Sequence, residues 1–427
     1  MIKITLFSKI LLAGLLIGCS KPNSVETSPD PIIKKPDVKD VSVTKIHGLA
    51  VIADFNDFQY KASNATIDSL LNQKSSYKKA GNVGSLNEFF RDQTDGKYDI
   101  THTVVRIRFN KDLSYFKNSS GRNPDTNEPW DWGQAFADSV LLKVKEKYPD
   151  GIPGLTRFKG ISNNGIGSWL VLVPFGYSAF GVKSSIPFKS GDSSIPMNHI
   201  GLCDIGEGTE TSHMTRILAH ESSHAIFRFP DIGSQAGDDL SKRGNAGSFC
   251  IMGWNAGSAN SPVDYCAPLL MTLKTAEVVN ISADDKKKIS IKSNARDTLY
   301  RFVNPQNSKE YFVIHSLNHS KWYPAYNVAG HPMDIGLAIW HVVEDSNKPM
   351  DPWFRLVAAD GIDLMNDKST KPPVATGNDD RVLFGKKVKS ANGRTNPMLR
   401  WRDGTIPTLK ITDISGPGAT MTFNVGY

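Results

Sequence analysis

The sequence is poor in cysteine and has no long apolar run. Only 4 of its 427 residues are cysteine, and no two of them have the Cys-x-x-Cys spacing of cysteine-based zinc sites. No stretch approaches the roughly 20 consecutive apolar residues that a membrane-spanning helix needs. The Gly-x-Ser-x-Gly elbow of serine hydrolases is also missing. These absences argue against a membrane-spanning protein, a cysteine-clustered zinc domain and a serine hydrolase built on that elbow.

The charge is positive but spread along the chain. The formal net charge is +7 and the isoelectric point is about 9.0, with only short basic runs such as Lys286-Lys287-Lys288. Dispersed lysines are typical of a solvated surface rather than of a nucleic-acid site, so we expect no nucleic-acid partner. The hydrophobic content of 39% and the chain length predict a globular protein of two domains.

The first residues have the pattern of an export signal. Lys3 and Lys9 flank an apolar run at residues 10–17, which is too short to cross a bilayer. The run ends in Leu-Ile-Gly-Cys, which resembles the lipobox of bacterial lipoproteins and predicts lipid attachment at Cys19. We therefore expect a signal peptide at 1–18, a flexible tether at 19–41 and an extracytoplasmic location, with the lipid as the only membrane contact. An ordinary signal peptide with an incidental cysteine is the alternative.

The remaining cysteines are Cys203, Cys250 and Cys266, an odd number for an oxidising compartment. One disulfide and one free thiol is the simplest expectation. The sequence leaves all three pairings open.

Residues 42–285 alternate strand and helix patterns. A buried strand is expected at 47–53, a helix after the Ser85 to Glu88 capping box, a strand at 98–109, a helix at 134–148 and a strand at 169–173. From residue 286 to 427 the pattern changes to short alternating strands separated by turn residues. The sequence thus predicts an α/β domain at 42–285 and a β-sandwich-type domain at 286–427. The second domain's candidate strands are 289–291, 299–303, 311–315, 337–342, 409–414 and 421–425.

The segment from Arg216 to Phe227 contains His-Glu-x-x-His. On a helix, His220 and His224 lie on one face, so both imidazoles can bind one ion. Glu221 lies one position round, where it can take a proton from a zinc-bound water and return it to the leaving amine. Zn²⁺ suits such a site. Two unrelated histidines on an ordinary helix are the alternative, but the helix is apolar on most sides, and a buried carboxylate between histidines is costly without a bound ion.

The third zinc ligand is a choice among carboxylates. Pro230 stops the helix, which leaves Asp231 free to turn back toward the metal. A ligand from a later helix is the rival arrangement, with Asp238, Asp239 or Glu277 as its candidates. We favour Asp231.

The segments around this motif resemble those of a known peptidase family. Phe229-Pro230-Asp231 and Cys250-Ile251-Met252-Gly253-Trp254 follow the His-Glu-x-x-His motif, and together they resemble the M6 peptidases, the immune inhibitor A family. That family pairs its zinc motif with a methionine-containing turn beneath the metal, which places Met252 in the turn. Similar segments occur in the family's order at residues 49–57, 87–98, 262–267, 336–342, 357–364, 403–405 and 411–415.

The resemblance implies a zincin-like (metzincin-like) catalytic domain and zinc-dependent endopeptidase activity on extracellular proteins or peptides. Two departures stand at the site: Phe227 replaces a family glycine, and Asp231 lies seven residues after His224 where the family has six. They motivate an alternative, a catalytically inactive M6-like surface lipoprotein that binds peptide or glycan.

Calcium is a further candidate cofactor. Asp360 and Asp363 bracket a turn whose carboxylates suit Ca²⁺, although a solvated turn is the simpler interpretation. Residues 163–166, Asn-Asn-Gly-Ile, stand where the family has an acidic loop.

Overall fold

The fold is taken from a computed structural model of the chain. The structure describes residues 43–116, 122–127, 131–152, 169–173, 179–190, 193–195, 200–204, 214–232, 246–253, 257, 261–326, 332–345, 347, 353–361, 382–395 and 398–426. The predicted signal peptide, Cys19 and the tether lie outside these ranges. Residues 42–427 form one compact unit. Within the described ranges, no helix has the length and apolar character needed to cross a membrane.

The helices and strands follow one another along the chain in two groups. The helices are α1 (Asn64–Asn72), α2 (Leu86–Gln93), α3 (Leu113–Phe116), α4 (Trp132–Lys147), α5 (Met214–Phe227) and α6 (Ala267–Thr272). The first strands are β1 (Thr44–Asp54), β2 (Tyr98–Arg108), β3 (Trp169–Leu172), β4 (Ala179–Val182), β5 (Phe188–Ser190), β6 (Ser193–Ile195) and β7 (Ile200–Cys203). The later strands are β8 (Glu277–Asn280), β9 (Lys287–Lys292), β10 (Thr298–Asn304), β11 (Asn307–Leu317), β12 (Gly336–Val343), β13 (Trp353–Leu356), β14 (Ile411–Thr412) and β15 (Thr420–Val425).

The first sheet has the strand order β2-β1-β3-β7-β4. Its first four strands are parallel, and β4 pairs antiparallel with β7 at one edge. Both faces of this sheet are covered, which explains why β1 is apolar along most of its length. Val51 and its alternate neighbours pack against α4, whereas Ala50 and Ile52 pack in the core that contains α1, α2 and α5.

Two further sheets form the later part of the chain. One has the order β13-β12-β11-β10-β8 and the other β14-β15-β9. Alternation along β11 sends Phe312 and Ile314 toward the core shared with the three-stranded sheet, while Tyr311 and Val313 face the core that also contains α5. The sheet with the order β13-β12-β11-β10-β8 is therefore buried on both faces and connects the two halves of the chain.

Polar contacts and one tryptophan join these halves. Trp322, which follows β11, packs edge-on against Phe89 of α2 with ring centroids 5.3 Å apart, and its Nε1 donates to Asp92 at 2.6 Å. The buried Asp264 carboxylate accepts from Gln93 Nε2 at 2.6 Å and from Arg296 Nη2 at 2.5 Å. The two predicted domains thus share a core and buried hydrogen bonds.

Most predicted elements are confirmed. The expected strands at 47–53, 98–109 and 169–173 correspond to β1, β2 and β3, and the helix at 134–148 corresponds to α4. The capping box is present: Ser85 Oγ accepts from the Glu88 amide, and Glu88 accepts from the Ser85 amide. The strand at 409–414 is only two residues long, and β13 was not predicted. Strand β8, on the earlier side of the predicted boundary, pairs with β10 in the later sheet.

The pH dependence of stability has a specific source in β2. His102 is 2% exposed and neither ring nitrogen has a hydrogen-bond partner among the described residues; burial, helped by the charge of His47, lowers its pKa to about 3. The unfolded chain therefore binds a proton below about pH 6.5 that the folded chain does not bind, and stability is lost as the pH falls from there toward 3.

We expect His102→Leu to remove this contribution. Between pH 7 and pH 5 the wild-type protein should lose about 2 kcal/mol more unfolding free energy than the variant, measured by urea denaturation. The same substitution at the exposed His319 is the control and should leave the loss unchanged. Equal losses in wild type and His102→Leu would contradict the assignment.

Candidate metal centre

Helix α5 turns one narrow face away from the core. From Thr215 to Phe227 every side chain is buried except those of Arg216, His220 and His224, which are partly exposed. Residues four apart lie on the same face of a helix, so these three form one accessible stripe. The two motif histidines are therefore presented together, as their spacing predicts.

Backbone carbonyls fix the rotation of both histidine rings. His220 Nδ1 lies 2.8 Å from the carbonyl oxygen of Ile251, and His224 Nδ1 lies 2.5 Å from that of Phe229. A carbonyl only accepts, so Nδ1 carries the proton and the lone pair of each neutral ring is on Nε2. The two Nε2 atoms are 3.0 Å apart. Two lone pairs facing each other at this distance repel unless a cation or a proton lies between them.

Asp231 completes a three-atom cluster. Its Oδ1 lies 3.0 Å from His220 Nε2 and 3.3 Å from His224 Nε2. Three donor atoms with these separations leave room for one ion at zinc-ligand distances of about 2.0–2.2 Å. Since the Asp231 side chain is 51% exposed, the cluster is open to solvent on that side. The donor set of two imidazoles and one carboxylate suits Zn²⁺ with a position left for water.

The charges at the cluster favour a cation. Burial raises the pKa of Asp231, but the hydrogen bonds and positive charges that protonated rings of His220 and His224 supply outweigh burial and hold this pKa well below its usual range. Burial lowers the pKa of His224, but the hydrogen bond to Asp231 and the charges of Glu221 and Asp231 raise it by more. A carboxylate that stays ionised beside two imidazoles is what a divalent ion requires.

The turn after α5 explains how Asp231 reaches the histidines without the family's glycine. Arg228 has φ of +57°, the left-handed conformation, and its amide donates to the His224 carbonyl at 3.1 Å. The left-handed residue therefore stands one position after Phe227, which matches the one-residue shift of Asp231. Glycine adopts this conformation without strain and arginine does not.

The segments on either side of the cluster are tied to each other. The Ile232 amide, next to Asp231, donates to the Met252 carbonyl at 2.7 Å, and the Gly253 amide closes a turn onto the Cys250 carbonyl at 2.8 Å. Met252 is 1% exposed. The turn that contains Met252 thus supplies the Ile251 carbonyl to His220 and holds the chain beside Asp231.

Glu221 lies against the first sheet. It is 3% exposed, and a side chain on Gly201 of β7 would place its Cβ 2.7 Å from Glu221 Cβ. The glycine therefore lets α5 approach β7 closely at Glu221, and the negative charge of Glu221 raises the pKa of His224. No pattern in the sequence predicts the contact with Gly201.

The other metal-ligand candidates are not brought to this cluster. Asp238 and Asp239 lie outside the described residues, as do Asp363 and residues 163–166, so the calcium prediction remains a prediction. Glu277 is an exposed residue of β8 in the later sheet. Among the described residues, His220, His224 and Asp231 form the single group of three or more His, Cys, Asp or Glu side chains whose ligand atoms converge.

The predicted disulfide is wrong. Cys203, Cys250 and Cys266 are all buried free thiols. Cys203 lies on β7 and contacts the Gly201 carbonyl at 3.8 Å, whereas Cys250 and Cys266 are linked by a hydrogen bond between their side chains. Burial in a shared core, which the odd count of cysteines does not reveal, accounts for all three.

No protein-family model and no curated protein matches the chain. The case for a function therefore depends on the site itself.

The left-handed conformation of Arg228 can be tested with two variants that differ in the backbone conformations they allow. Arg228→Gly and Arg228→Ala both remove the side chain, but glycine accepts the left-handed conformation and alanine does not. We expect the glycine variant to have the larger unfolding free energy, by about 1 kcal/mol in urea denaturation.

The same pair at Lys145 in α4 is the matched control. There alanine should be the more stable by a similar amount, because the conformation is helical. An alanine variant of Arg228 as stable as the glycine variant would mean that the turn does not hold this conformation in solution.

Proposed function

We propose that the chain is a zinc-dependent endopeptidase. One observation carries the proposal: three donor atoms, from His220, His224 and Asp231, converge within 3.0–3.3 Å, and both imidazoles are fixed by backbone carbonyls. An ordinary surface cluster of two histidines and an aspartate has no need of such fixed rings. Side chains preorganised around a shared point are typical of metal ligands.

In this proposal each residue has one role. His220, His224 and Asp231 would hold the ion, and Glu221 is the general base. Zinc, when bound, polarises a carbonyl and acidifies water. Glu221 is buried and its charge acts on His224, and in this proposal it accepts the proton of the attacking water and returns it to the leaving amine.

The fold and the order of the segments support a zincin-like peptidase related to the M6 family. The motif helix α5 packs beneath a sheet whose last strand, β4, is antiparallel at the edge next to β7. The turn at Met252 contributes the carbonyl that orients His220. Arg228 supplies the left-handed turn that the family's glycine would supply, so the two departures from the family motif compensate each other.

Zinc content and proteolysis, measured on the same preparations of protein beginning at Ser20, test the proposal. We expect about one zinc per chain and casein hydrolysis in the wild type, and loss of both in His224→Ala. Glu221→Gln should keep the zinc and lose roughly 10²- to 10⁴-fold in rate. His319→Ala, at an exposed histidine, is the control and should match the wild type.

The remaining outcomes separate the alternatives. Zinc content unchanged in Asp231→Ala would assign the third ligand to a later carboxylate. A wild-type protein without metal and without activity would contradict the peptidase function. It would favour the alternative, a surface lipoprotein that binds peptide or glycan.

We further propose that the chain is exported and anchored by a lipid on Cys19, because the apolar run at 10–17 ends in a lipobox-like sequence. In cells, Cys19→Ser should move the protein from the membrane fraction to the soluble fraction, as judged by immunoblotting. The buried Cys203→Ser is the control for loss of a thiol. An unchanged distribution of Cys19→Ser would contradict lipid anchoring.

A further inference from the structure

Arg216 shares the accessible stripe of α5 with the two proposed zinc ligands. It lies one helical turn before His220, and the stripe of Arg216, His220 and His224 is the only face of α5 from Thr215 to Phe227 that is not buried. Side chains on a helix lean toward its N-terminus, so the guanidinium lies along this stripe on the side away from the metal centre. A substrate residue next to the cleaved bond would lie within its reach.

The guanidinium has no anionic partner in the described part of the chain. Its Nε atom is buried and donates no hydrogen bond, and no ion pair joins Arg216 to a carboxylate of a described residue. Burial lowers the pKa of Arg216, but a guanidinium stays protonated at neutral pH. A buried Nε without a hydrogen bond is unfavourable, so the place of Arg216 on the stripe that carries both proposed ligands points to a partner that arrives from outside the chain.

Arg216 is not needed to dock the helix. The neighbouring Thr215 performs that task, because its hydroxyl contacts Asn82 Oδ1 at 2.8 Å and the Gly84 carbonyl at 3.1 Å. The carboxylate of Asp231 is engaged by the two histidines. No contact of the described residues therefore gives Arg216 a structural role.

We propose that Arg216 is a specificity-determining residue that binds a carboxylate of the substrate beside the scissile bond. The inference rests on the proposed peptidase function and names its substrate class, acidic peptides. A guanidinium binds a carboxylate through two parallel hydrogen bonds, which a lysine or an amide cannot reproduce. The carboxylate is either an Asp or Glu side chain or the free C-terminus of the substrate.

Peptide binding tests the proposal without turnover. In the Glu221→Gln background, fluorescence anisotropy compares labelled, C-terminally amidated peptides that carry Glu or Gln beside a casein bond which the wild type cleaves. A third peptide carries Gln and ends with a free carboxylate at the residue that follows the bond. We expect one carboxylate-bearing peptide to bind tenfold or more tightly than the neutral amide, as charge-assisted hydrogen bonds predict.

Variants then assign the preference to the guanidinium. Arg216→Gln should bring the affinity ratio close to one, and Arg216→Lys should keep only part of it. Arg394→Gln, at an exposed arginine outside α5, is the matched control and should keep the full ratio. Tighter binding of the Glu peptide would identify an acidic side chain as the ligand, and tighter binding of the free-acid peptide would identify the C-terminus.

Two results would overturn the inference. The first is equal binding of charged and neutral peptides by Glu221→Gln protein that keeps Arg216. The second is a preference for the charged peptide that persists in Arg216→Gln. Zinc content and casein hydrolysis of the protein without substitutions are measured in parallel. If these fail, the proposed peptidase function is lost; if they succeed while the carboxylate preference is missing, only the role of Arg216 is lost.

Discussion

Two backbone carbonyls fix the candidate metal centre, because they set the rotation of its histidine rings. Phe229 and Ile251 each place a carbonyl oxygen against an Nδ1 atom, and this turns both Nε2 atoms toward Asp231. Without these contacts each ring would rotate about its own side-chain bonds. The three ligand atoms would then no longer be held toward one point before the ion binds. The requirement for two well-placed carbonyls explains why the chain around α5 is so strongly constrained.

Each carbonyl is positioned by a different part of the molecule. The Phe229 carbonyl follows the left-handed Arg228, so the turn after α5 sets it locally. The Ile251 amide donates to the backbone carbonyl of Asp264, and the side-chain carboxylate of Asp264 accepts from Gln93 and Arg296. Arg296 comes from the later, strand-rich part of the chain. The second half of the molecule thus contributes to the geometry of His220 through a continuous series of hydrogen bonds.

What the sequence predicts well are local patterns, and what it misses are contacts between distant segments. The capping box before α2, the apolar strand β1 and the four-residue spacing of His220 and His224 each need only neighbouring residues. The choice of Asp231 as third ligand rests on Pro230 stopping helical growth; the helix already ends at Phe227, and the structure brings Asp231 beside both histidines.

Contacts set by the packing of remote elements were beyond sequence reasoning. Whether cysteines pair depends on their distance in the folded chain, so an odd count suggested a disulfide that does not form. Glu221 of α5 lies close to Gly201 of β7. Which residues of a helix and a strand meet depends on how the helix packs on the sheet, and the sequence does not give that packing. The left-handed residue falls on an arginine, where no glycine signals it. Arg216 is conspicuous only once it is known that, from Thr215 to Phe227, all side chains except those of Arg216, His220 and His224 are buried.

The most direct test of the account is X-ray absorption at the zinc K-edge on zinc-loaded protein beginning at Ser20. The account predicts a first shell of nitrogen and oxygen atoms at about 2.0–2.1 Å, with outer-shell scattering from two imidazoles and no sulfur. A zinc–sulfur distance near 2.3 Å, or scattering from fewer than two imidazoles, would contradict it. Either result would mean that the ion is not held by His220, His224 and Asp231 together.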